Sequence, residues 1–472
     1  MNQMRPRHIV LFILSCLVLL GGLCVVAEFA KPVLGPLRWP TITDILPEMP
    51  KETENTPIKK PPLIIDVLQD DPAERQGLFL NDTTTLIAEV EEVVKEEEVK
   101  TVRVSPDTLP TVKPSAKALD AFIASLKETD KRAVRVVHYG DSQIEEDRIT
   151  ATIRRQLQSI YGGGGPGLLP LQQTIPTRTV RQWLTIDGER LTSKNGPKRY
   201  LVYGPKNQRR ETNTYGPMGQ VAVMDTLLRK GSNNIVMHIE PFGKITSANH
   251  FNRVRILKTN GIEVNARSEN ILTLPDNTSD CTLDFYGQGE VYGVSLETPT
   301  GVIVDNIPMR GGSGNVFTQI SFQQLSQFFR ETNTRLIILQ FGGNVMPWAD
   351  TPERVRGYAH SMRQQIRYLR SCAPEASILF VGPSDMTTVI DGQKTSYPML
   401  PLMDEQLARI AASEGIAYWS LYKAMGGWNS MIEWYNNGLA ASDGIHFTQA
   451  GANKAGNLLW KWLEKKIVES KK

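Results

Sequence analysis

Between Val134 and Leu157 the spacing of apolar residues changes from that of a strand to that of a helix. Val134, Val136 and Val137 form a short β-branched run, which is typical of a strand buried in a sheet. After Gly140-Asp141-Ser142, apolar side chains recur at roughly helical spacing. The segment is therefore predicted as strand, tight turn and helix, with Ser142 at the carboxyl end of the strand.

Strand and helix patterns also alternate from residue 302 to the C-terminus. Strands are predicted at 302–307, 335–341, 377–381 and 416–420, and helices at 320–330, 352–371, 401–412 and from about 450. Another amphipathic helix, at 117–127, precedes the first strand. Repeated βα units imply a parallel sheet with helices on both faces. The pattern predicts a doubly wound, flavodoxin-like α/β domain made of residues 116–177 and 300–470.

Residues 178–299 show a different pattern, in which short strand candidates are separated by Gly, Asn, Asp and Pro turns. Few helical periods occur there, so we expect an all-β insertion of sandwich type, with carbohydrate binding as its candidate role. His238 and Glu240 alternate on one predicted strand, but an exposed polar strand face accounts for them better than a metal site does. No metal or cofactor is predicted.

The N-terminus carries an apolar span of nineteen uncharged residues, 9–27, preceded by Arg5, Arg7 and His8. This length suffices to cross a bilayer, and the positive residues in front favour export of the rest. We expect residues 1–30 to form a transmembrane signal anchor, although cleavage after Ala27 or Ala30 is the alternative. The Pro- and Glu-rich residues 31–115 are predicted to be a flexible tether that holds the folded part in the periplasm or at the cell surface.

The composition limits the number of domains, the class of partner and the disulfides to be expected, but it does not indicate an activity. A chain of 472 residues is long enough for two or three domains, and its net charge of +3 gives no indication of a nucleic-acid partner. Cys281 and Cys372 fall in different predicted domains, so no disulfide is expected between them.

Four loops at predicted strand ends carry residues suited to chemistry. Ser142 lies in the first; the others are Arg310-Gly-Gly-Ser-Gly-Asn315, Phe341-Gly-Gly-Asn344 and Asp443-Gly-Ile-His446. The carboxyl ends of strands in an open α/β sheet meet at one edge, so these loops can share one cleft. Of the six histidines, only His446 has an aspartate three residues before it on such a loop.

This order of motifs resembles the SGNH (GDSL-type) hydrolase superfamily, over roughly residues 117–175 and 300–465. The resemblance implies a catalytic triad in which Ser142 is the nucleophile, His446 the base and Asp443 the residue that orients it. It also implies an oxyanion hole made by the backbone N–H groups of Ser142 and Gly314 and the side-chain amide of Asn344. Gly314 is chosen over the two preceding glycines because of its Ser-Gly-Asn context.

Export, a tether and an inserted β domain are together similar to the plan of bacterial peptidoglycan O-acetylesterases. We therefore expect an esterase that removes O-acetyl groups from an extracytoplasmic glycan, with Trp348 as a candidate for stacking on sugar. An alternative is an O-acetyltransferase or accessory subunit working with a multipass membrane acyltransferase. A third is a non-catalytic glycan-binding scaffold. Sequence does not separate hydrolysis from transfer, because both need an acyl-serine and an oxyanion hole.

Overall fold

The computed structural model describes residues 115, 117–192, 194–225, 234–242 and 247–470. The predicted transmembrane helix at 1–30 and the predicted tether up to residue 114 lie outside these ranges and remain predictions. Within the described ranges, no helix is both long and apolar enough to cross a membrane.

The described residues form eighteen β-strands and eight α-helices. The strands are β1 Val134–Gly140, β2 Gly167–Leu169, β3 Val180–Ile186, β4 Glu189–Arg190, β5 Lys198–Leu201, β6 Gln220–Met224, β7 Asn234–Pro241, β8 Phe251–Lys258, β9 Ile262–Val264, β10 Ile271–Thr278, β11 Cys281–Gly287, β12 Gly289–Glu297, β13 Val302–Pro308, β14 Thr334–Gln340, β15 Ser377–Val381, β16 Thr387–Ile390, β17 Gln393–Ser396 and β18 Ala417–Trp419. The helices are α1 Asp120–Ser125, α2 Thr150–Tyr161, α3 Phe322–Glu331, α4 Pro352–Cys372, α5 Leu400–Ser413, α6 Leu421–Met425, α7 Ser430–Asn436 and α8 Gln449–Glu469.

Five strands form a parallel sheet in the order β13-β1-β14-β15-β18. Counted along the α/β part of the chain, this is the order 2-1-3-4-5 of a flavodoxin-like, doubly wound sheet. The predicted parallel α/β fold is thus confirmed. β1 lies between β13 and β14, so the loops that follow these three strands are neighbours at the carboxyl edge.

Both faces of this sheet are covered. Val137 and Tyr139 of β1 belong to one apolar cluster, whereas Val134 and Val136 belong to a second on the opposite face. The first cluster includes residues of α3, α4 and α5, and the second includes residues of α1, α2 and α8. Burial on both faces explains why the strands read as continuous apolar runs rather than as alternating ones.

Two antiparallel sheets occupy the part of the chain where an all-β insertion was predicted. Their orders are β10-β8-β12-β6-β5, with β2 also paired to β12, and β4-β3-β7-β11-β9. One apolar core contains residues from both sheets, among them Leu184, Met237, Val254 and Val294. The antiparallel pairing begins at β2, earlier than the predicted boundary at 178, so the division into domains stays a prediction.

A buried ion cluster connects the two kinds of sheet. Arg135 on β1 is 1% exposed and donates to both carboxylate oxygens of Asp305 on β13, at 2.7 and 2.8 Å. The same guanidinium contacts Ser295 at 3.1 Å and pairs with Glu297, both on β12. Buried charges need such partners to offset the loss of hydration. The cluster therefore fixes β12 against the amino-terminal half of β1.

The glycine run at 162–165 lies at the same junction. A β-carbon at Gly163 would lie 2.4 Å from the carbonyl oxygen of Val302, and one at Gly165 would lie 2.1 Å from that of Leu296. Only glycine, which has no β-carbon, allows the chain to pass this close to the start of β13 and to the end of β12.

Candidate active site

Ser142 follows β1 after a one-residue cap. Asp141 Oδ1 accepts a hydrogen bond from the backbone N–H of Gln143 at 2.9 Å and so caps the short 3₁₀ helix Ser142–Asp147. The sequence predicted a helix directly after the turn, but the backbone of Glu146 is left-handed (φ 58°) and α2 begins only at Thr150. The intervening residues give Ser142 a loop of its own at the sheet edge.

Three side chains from two distant segments form a hydrogen-bonded chain. Ser142 Oγ lies 2.8 Å from His446 Nε2, and His446 Nδ1 lies 2.7 Å from Asp443 Oδ2. Because a carboxylate only accepts, Nδ1 carries the proton and Nε2 is free to accept from the serine hydroxyl. This is the arrangement that activates a serine nucleophile.

Asp443 is held in its ionised form by its surroundings. Partial burial alone would raise the pKa of this carboxyl, but hydrogen bonds from the His446 ring and from the backbone N–H groups of His446 and Ile445 lower it to about 2. Those two N–H groups lie 3.0 and 2.9 Å from Oδ1. The loop thus preorganises both the orientation and the charge of Asp443.

The backbone N–H groups of Ser142 and Gly314 donate no hydrogen bond within the described ranges, so both are available to a ligand. By contrast, the N–H of Gly312 donates to the carbonyl of Met309 at 2.8 Å. Gly314 has φ +88°, and a β-carbon there would lie 2.8 Å from the ring of Phe341. These contacts favour Gly314 over Gly312 as the donor on this loop.

Asn344 lies in the loop after β14, within the 3₁₀ turn Gly343–Val345. Its side-chain Nδ2 donates to the backbone carbonyl of Gly312 at 3.0 Å. This bond joins the loop after β14 to the loop after β13, so the amide is held at the edge where Ser142 and Gly314 lie. The second N–H of the amide remains for a ligand.

Two residues that the sequence analysis did not single out connect the nucleophile segment to the histidine segment. Arg148 donates to the backbone carbonyl of Ser142 (2.5 Å) and to those of Glu145 and Phe447, at 3.1 and 3.2 Å. Gln143 Nε2 donates to the carbonyl of Ile445 at 2.6 Å. Both side chains bind backbone carbonyls, which every residue has, so no sequence motif marks their partners. Arg148 and Gln143 therefore looked like ordinary polar residues in the sequence.

Two acidic groups beside the nucleophile are buried. Burial raises the pKa of Asp141 to about 6, although the N–H of Gln143 and the nearby His446 and Arg148 act in the opposite direction. Burial likewise raises the pKa of Glu145, against the attraction of Arg310, whose Nε lies 3.7 Å from Glu145 Oε1. The site therefore surrounds the triad with carboxyls that are costly to ionise.

Trp348 is half-buried beside the apolar core, and the guanidinium of Arg354 lies 5.3 Å from its ring centroid. Its role in binding substrate stays a prediction. His238 lies within 2.9 Å of the hydroxyl of Thr185 and stacks on Trp183, which accounts for its place on β7. In the part of the chain that the structure describes, no group of three or more His, Cys, Asp or Glu is arranged to hold a metal ion.

Residues 285–454 match the family of GDSL-like lipases and acylhydrolases. The matched range contains Gly314, Asn344, Asp443 and His446 but starts after Ser142, because the antiparallel strands separate the nucleophile from the other motifs. No curated protein sequence matches the chain.

Solved structures add a likeness of fold. One, described as a peptidoglycan O-acetylesterase, shares 20% identity over 76% of this chain and 99% of its own, with a TM-score of 0.59. Est24, a carbohydrate acetylesterase from Sinorhizobium meliloti, shares 13% identity over 35% of this chain and 79% of its own, with a TM-score of 0.26. The periplasmic domain of a lipopolysaccharide acetyltransferase from Salmonella ser. Paratyphi A has the same TM-score, with 13% identity over 35% of this chain and 74% of its own.

The family match supplies three of the four motif loops, and the strand order brings the fourth, with Ser142, to the same sheet edge. The fold as a whole is shared with an O-acetylesterase structure. The α/β part of this chain therefore resembles the SGNH (GDSL-type) hydrolases, and residues 285–454 match the GDSL-like lipase and acylhydrolase family.

Proposed function

We propose that this protein is a serine esterase that removes O-acetyl or other short acyl groups from a carbohydrate outside the cytoplasm. The observation that carries the proposal is the continuous hydrogen-bonded chain from Ser142 Oγ through His446 to Asp443, at 2.8 and 2.7 Å. Acyl chemistry is the reaction type of the matched family.

In the first half of the reaction, Ser142 Oγ attacks the carbonyl carbon of the ester and its proton passes to His446 Nε2. The carbonyl oxygen becomes an oxyanion, which accepts hydrogen bonds from the N–H groups of Ser142 and Gly314 and from the Asn344 amide. Collapse breaks the bond to the sugar oxygen, which leaves with the proton from His446. Asp443 stabilises the imidazolium of His446 from the moment it takes the serine proton until it protonates the leaving sugar oxygen.

In the second half, a nucleophile accepts the acyl group from Ser142. Water, deprotonated by His446, gives free acid and regenerates the serine. A sugar hydroxyl in the place of water would give a new ester by the same steps. The triad serves both outcomes, so the choice between hydrolysis and transfer depends on which nucleophile reaches the acyl-serine.

The carbohydrate substrate is supported by the antiparallel sheets next to the α/β domain and by the expected export of the chain. The structure described as a peptidoglycan O-acetylesterase has the same overall plan over 99% of its length. We propose O-acetylated peptidoglycan or a similar polysaccharide as the substrate, with Trp348 as a residue that contacts sugar.

The membrane location is a separate proposal. We infer that residues 1–30 anchor the chain and that the hydrolase domain lies in the periplasm or at the cell surface. The support is the uncharged span at 9–27 behind Arg5 and Arg7. Protease added to intact spheroplasts should degrade the hydrolase domain. A domain that is degraded only after lysis would contradict this location.

The catalytic proposal is tested with the purified full chain and 4-nitrophenyl acetate. Wild type should release acetate and react covalently with a serine-directed fluorophosphonate, whereas Ser142→Ala should do neither. The matched control is Ser159→Ala, which removes an exposed hydroxyl that donates to the carbonyl of Gln156 within α2, and it should behave as wild type. Full turnover in Ser142→Ala would refute the assignment.

The competing functions are separated by product analysis. With an acetyl donor and an oligosaccharide present, an esterase gives mainly free acetate, and a transferase working with a multipass membrane acyltransferase gives mainly acetylated sugar. A protein that binds glycan and never reacts with the fluorophosphonate would be a scaffold.

A further inference from the structure

A cavity of about 720 Å³ lies at the edge of the parallel sheet opposite to Ser142. Its wall includes Ala133 and Thr334, which lie at the amino ends of β1 and β14, whereas Ser142 follows the carboxyl end of β1. β1 is seven residues long, which puts roughly 20 Å between the cavity and the nucleophile. The cavity is therefore separate from the triad.

The lining is rich in arginine. Six arginines, at positions 132, 135, 253, 255, 330 and 335, line the cavity together with three glutamates, at 297, 331 and 375. Six positive and three negative side chains line the wall, and Glu128 and Asp305, just outside it, pair with Arg132 and Arg135, which leaves an excess of one positive charge. A concave surface with an excess of one charge attracts ligands of the opposite sign.

Three of these guanidinium groups converge on one buried carboxylate. Arg253 and Arg255 lie 2.8 and 3.3 Å from Oε1 of Glu297, and Arg135 pairs with Oε2. Arg135 also pairs with Asp305, so three cations share two anions inside the protein. The pKa of Arg255 is lowered, mainly by burial, although Glu297 opposes the shift. One uncompensated positive charge in a place of low hydration would be stabilised by an added anion.

Two donors of this cluster also lack acceptors. Nε of Arg135 and Nε of Arg253 are buried, and neither has a hydrogen-bond partner in the described ranges. The side chain of Arg135 is 2% exposed, so it cannot rely on bulk water. A buried donor without a partner is energetically unfavourable. Both atoms are themselves buried, so they add to the unbalanced positive charge of the cluster and are not donors exposed to the cavity.

The rest of the wall combines polar residues, such as Asn333 and Ser371, with two aromatic side chains. Phe322 and Phe329 of α3 line the cavity, and Phe322 is 51% exposed. Arg330 lies next to them at the exposed end of the same helix. A volume of this size falls in the range of small-molecule sites, which is about 300–1,000 Å³. A small molecule with an acidic group and an apolar part would match the arginines and the two phenylalanines.

We propose that this cavity is a second ligand site, which takes the phosphate or carboxylate group of a small anion between the guanidinium groups of Arg253, Arg255 and Arg330. Guanidinium groups bind such oxyanions through paired N–H donors, which suits a cluster of this kind. The site does not depend on the esterase proposal, since none of its residues belongs to the triad.

The test is calorimetric titration of the full chain with pyrophosphate and, separately, with citrate, at constant ionic strength. Saturable binding of pyrophosphate alone identifies a phosphate site, and that of citrate alone a carboxylate site. Arg253→Gln and Arg330→Gln should each weaken the binding roughly tenfold or more. Arg330 is exposed, so its variant tests the site even if Arg253→Gln disturbs the fold.

The matched control is Arg356→Gln, which removes an exposed arginine of α4 that forms an ion pair with the nearby Glu353. It should bind both anions as wild type does, and ester hydrolysis should be unchanged in all three variants. Absence of saturable binding of either anion up to about 10 mM would overturn the proposal. So would equal weakening in Arg356→Gln, because the effect would then be one of overall charge.

Discussion

The side-chain amide of Asn344 donates a hydrogen bond to the backbone carbonyl of Gly312 across 3.0 Å. The bond joins the loops that follow β14 and β13, and it fixes the direction in which the amide points. An oxyanion-hole donor gains its effect from being in place before charge develops, since no reorganisation is then needed. Gly312 therefore acts on the site through its carbonyl, whereas its own N–H is used within the turn.

Asn344→Ala should lower kcat roughly 100- to 1,000-fold and leave KM nearly unchanged, because the lost donor acts on the oxyanion and not on the bound ester. Steady-state kinetics with 4-nitrophenyl acetate measures both constants. A rise in KM with kcat intact would show that Asn344 binds substrate instead.

Asp443→Asn should lower kcat about 10³- to 10⁴-fold, because an amide cannot hold the imidazole of His446 in the tautomer that accepts from Ser142. The melting temperature should change little, since the residue lies on a partly exposed loop. Asp391→Asn, at an exposed turn, is the control and should be fully active. Activity near wild type in Asp443→Asn would remove this residue from the triad.

Arg148→Met should lower kcat roughly 10- to 100-fold at nearly constant KM, because it removes two carbonyl contacts within the Ser142 segment and the one, to Phe447, that joins it to the His446 segment. The rate of reaction with the fluorophosphonate should fall by a similar factor, since it reports the position of the nucleophile. Arg155→Met, on the exposed face of α2, should match wild type. A lower melting temperature with an unchanged labelling rate would show a role in stability alone.

Asp305→Asn should destabilise the protein by about 3–5 kcal/mol in urea denaturation, because it leaves the guanidinium of Arg135 partly unpaired in a buried place. Glu353→Gln, which breaks the exposed pair with Arg356, should cost less than about 1 kcal/mol. Equal losses in the two variants would mean that the buried cluster adds nothing specific.

Asp141→Asn should change the pH dependence of stability. The pKa of Asp141 is about 6 in the folded protein and about 4 in an unfolded chain, so the native state holds this proton more tightly. The resulting stabilisation is complete below about pH 4 and is lost as the pH rises to about 6. Asparagine keeps the oxygen that caps Gln143 but carries no charge. The variant should therefore equal wild type near pH 4 and exceed it at pH 7, by at most about 3 kcal/mol. Urea denaturation at several pH values measures the difference, and a difference independent of pH would contradict the assigned burial effect.

The sequence by itself determined the parallel α/β fold. The helix at 352–371 and the strand at 377–381 were predicted almost to the residue, because long periodic patterns report local geometry. It also indicated Ser142, His446 and Asp443, which the structure places in hydrogen-bonding order; their catalytic roles remain predictions. Aspartate and histidine lie three residues apart on one loop, so this part of the site is local.

Only the tertiary structure decided the rest. The short strands β2, β5 and β9 carry too few residues for a pattern, and they form because partner strands are present to accept their hydrogen bonds. Arg135 also depends on tertiary contacts, because it is a charged residue within the otherwise apolar, buried strand β1. Its stability there depends on Asp305 and Glu297, 170 and 162 residues away. Burial of a charge or pairing of a short strand is determined by partners distant in sequence, and the local sequence does not contain that information.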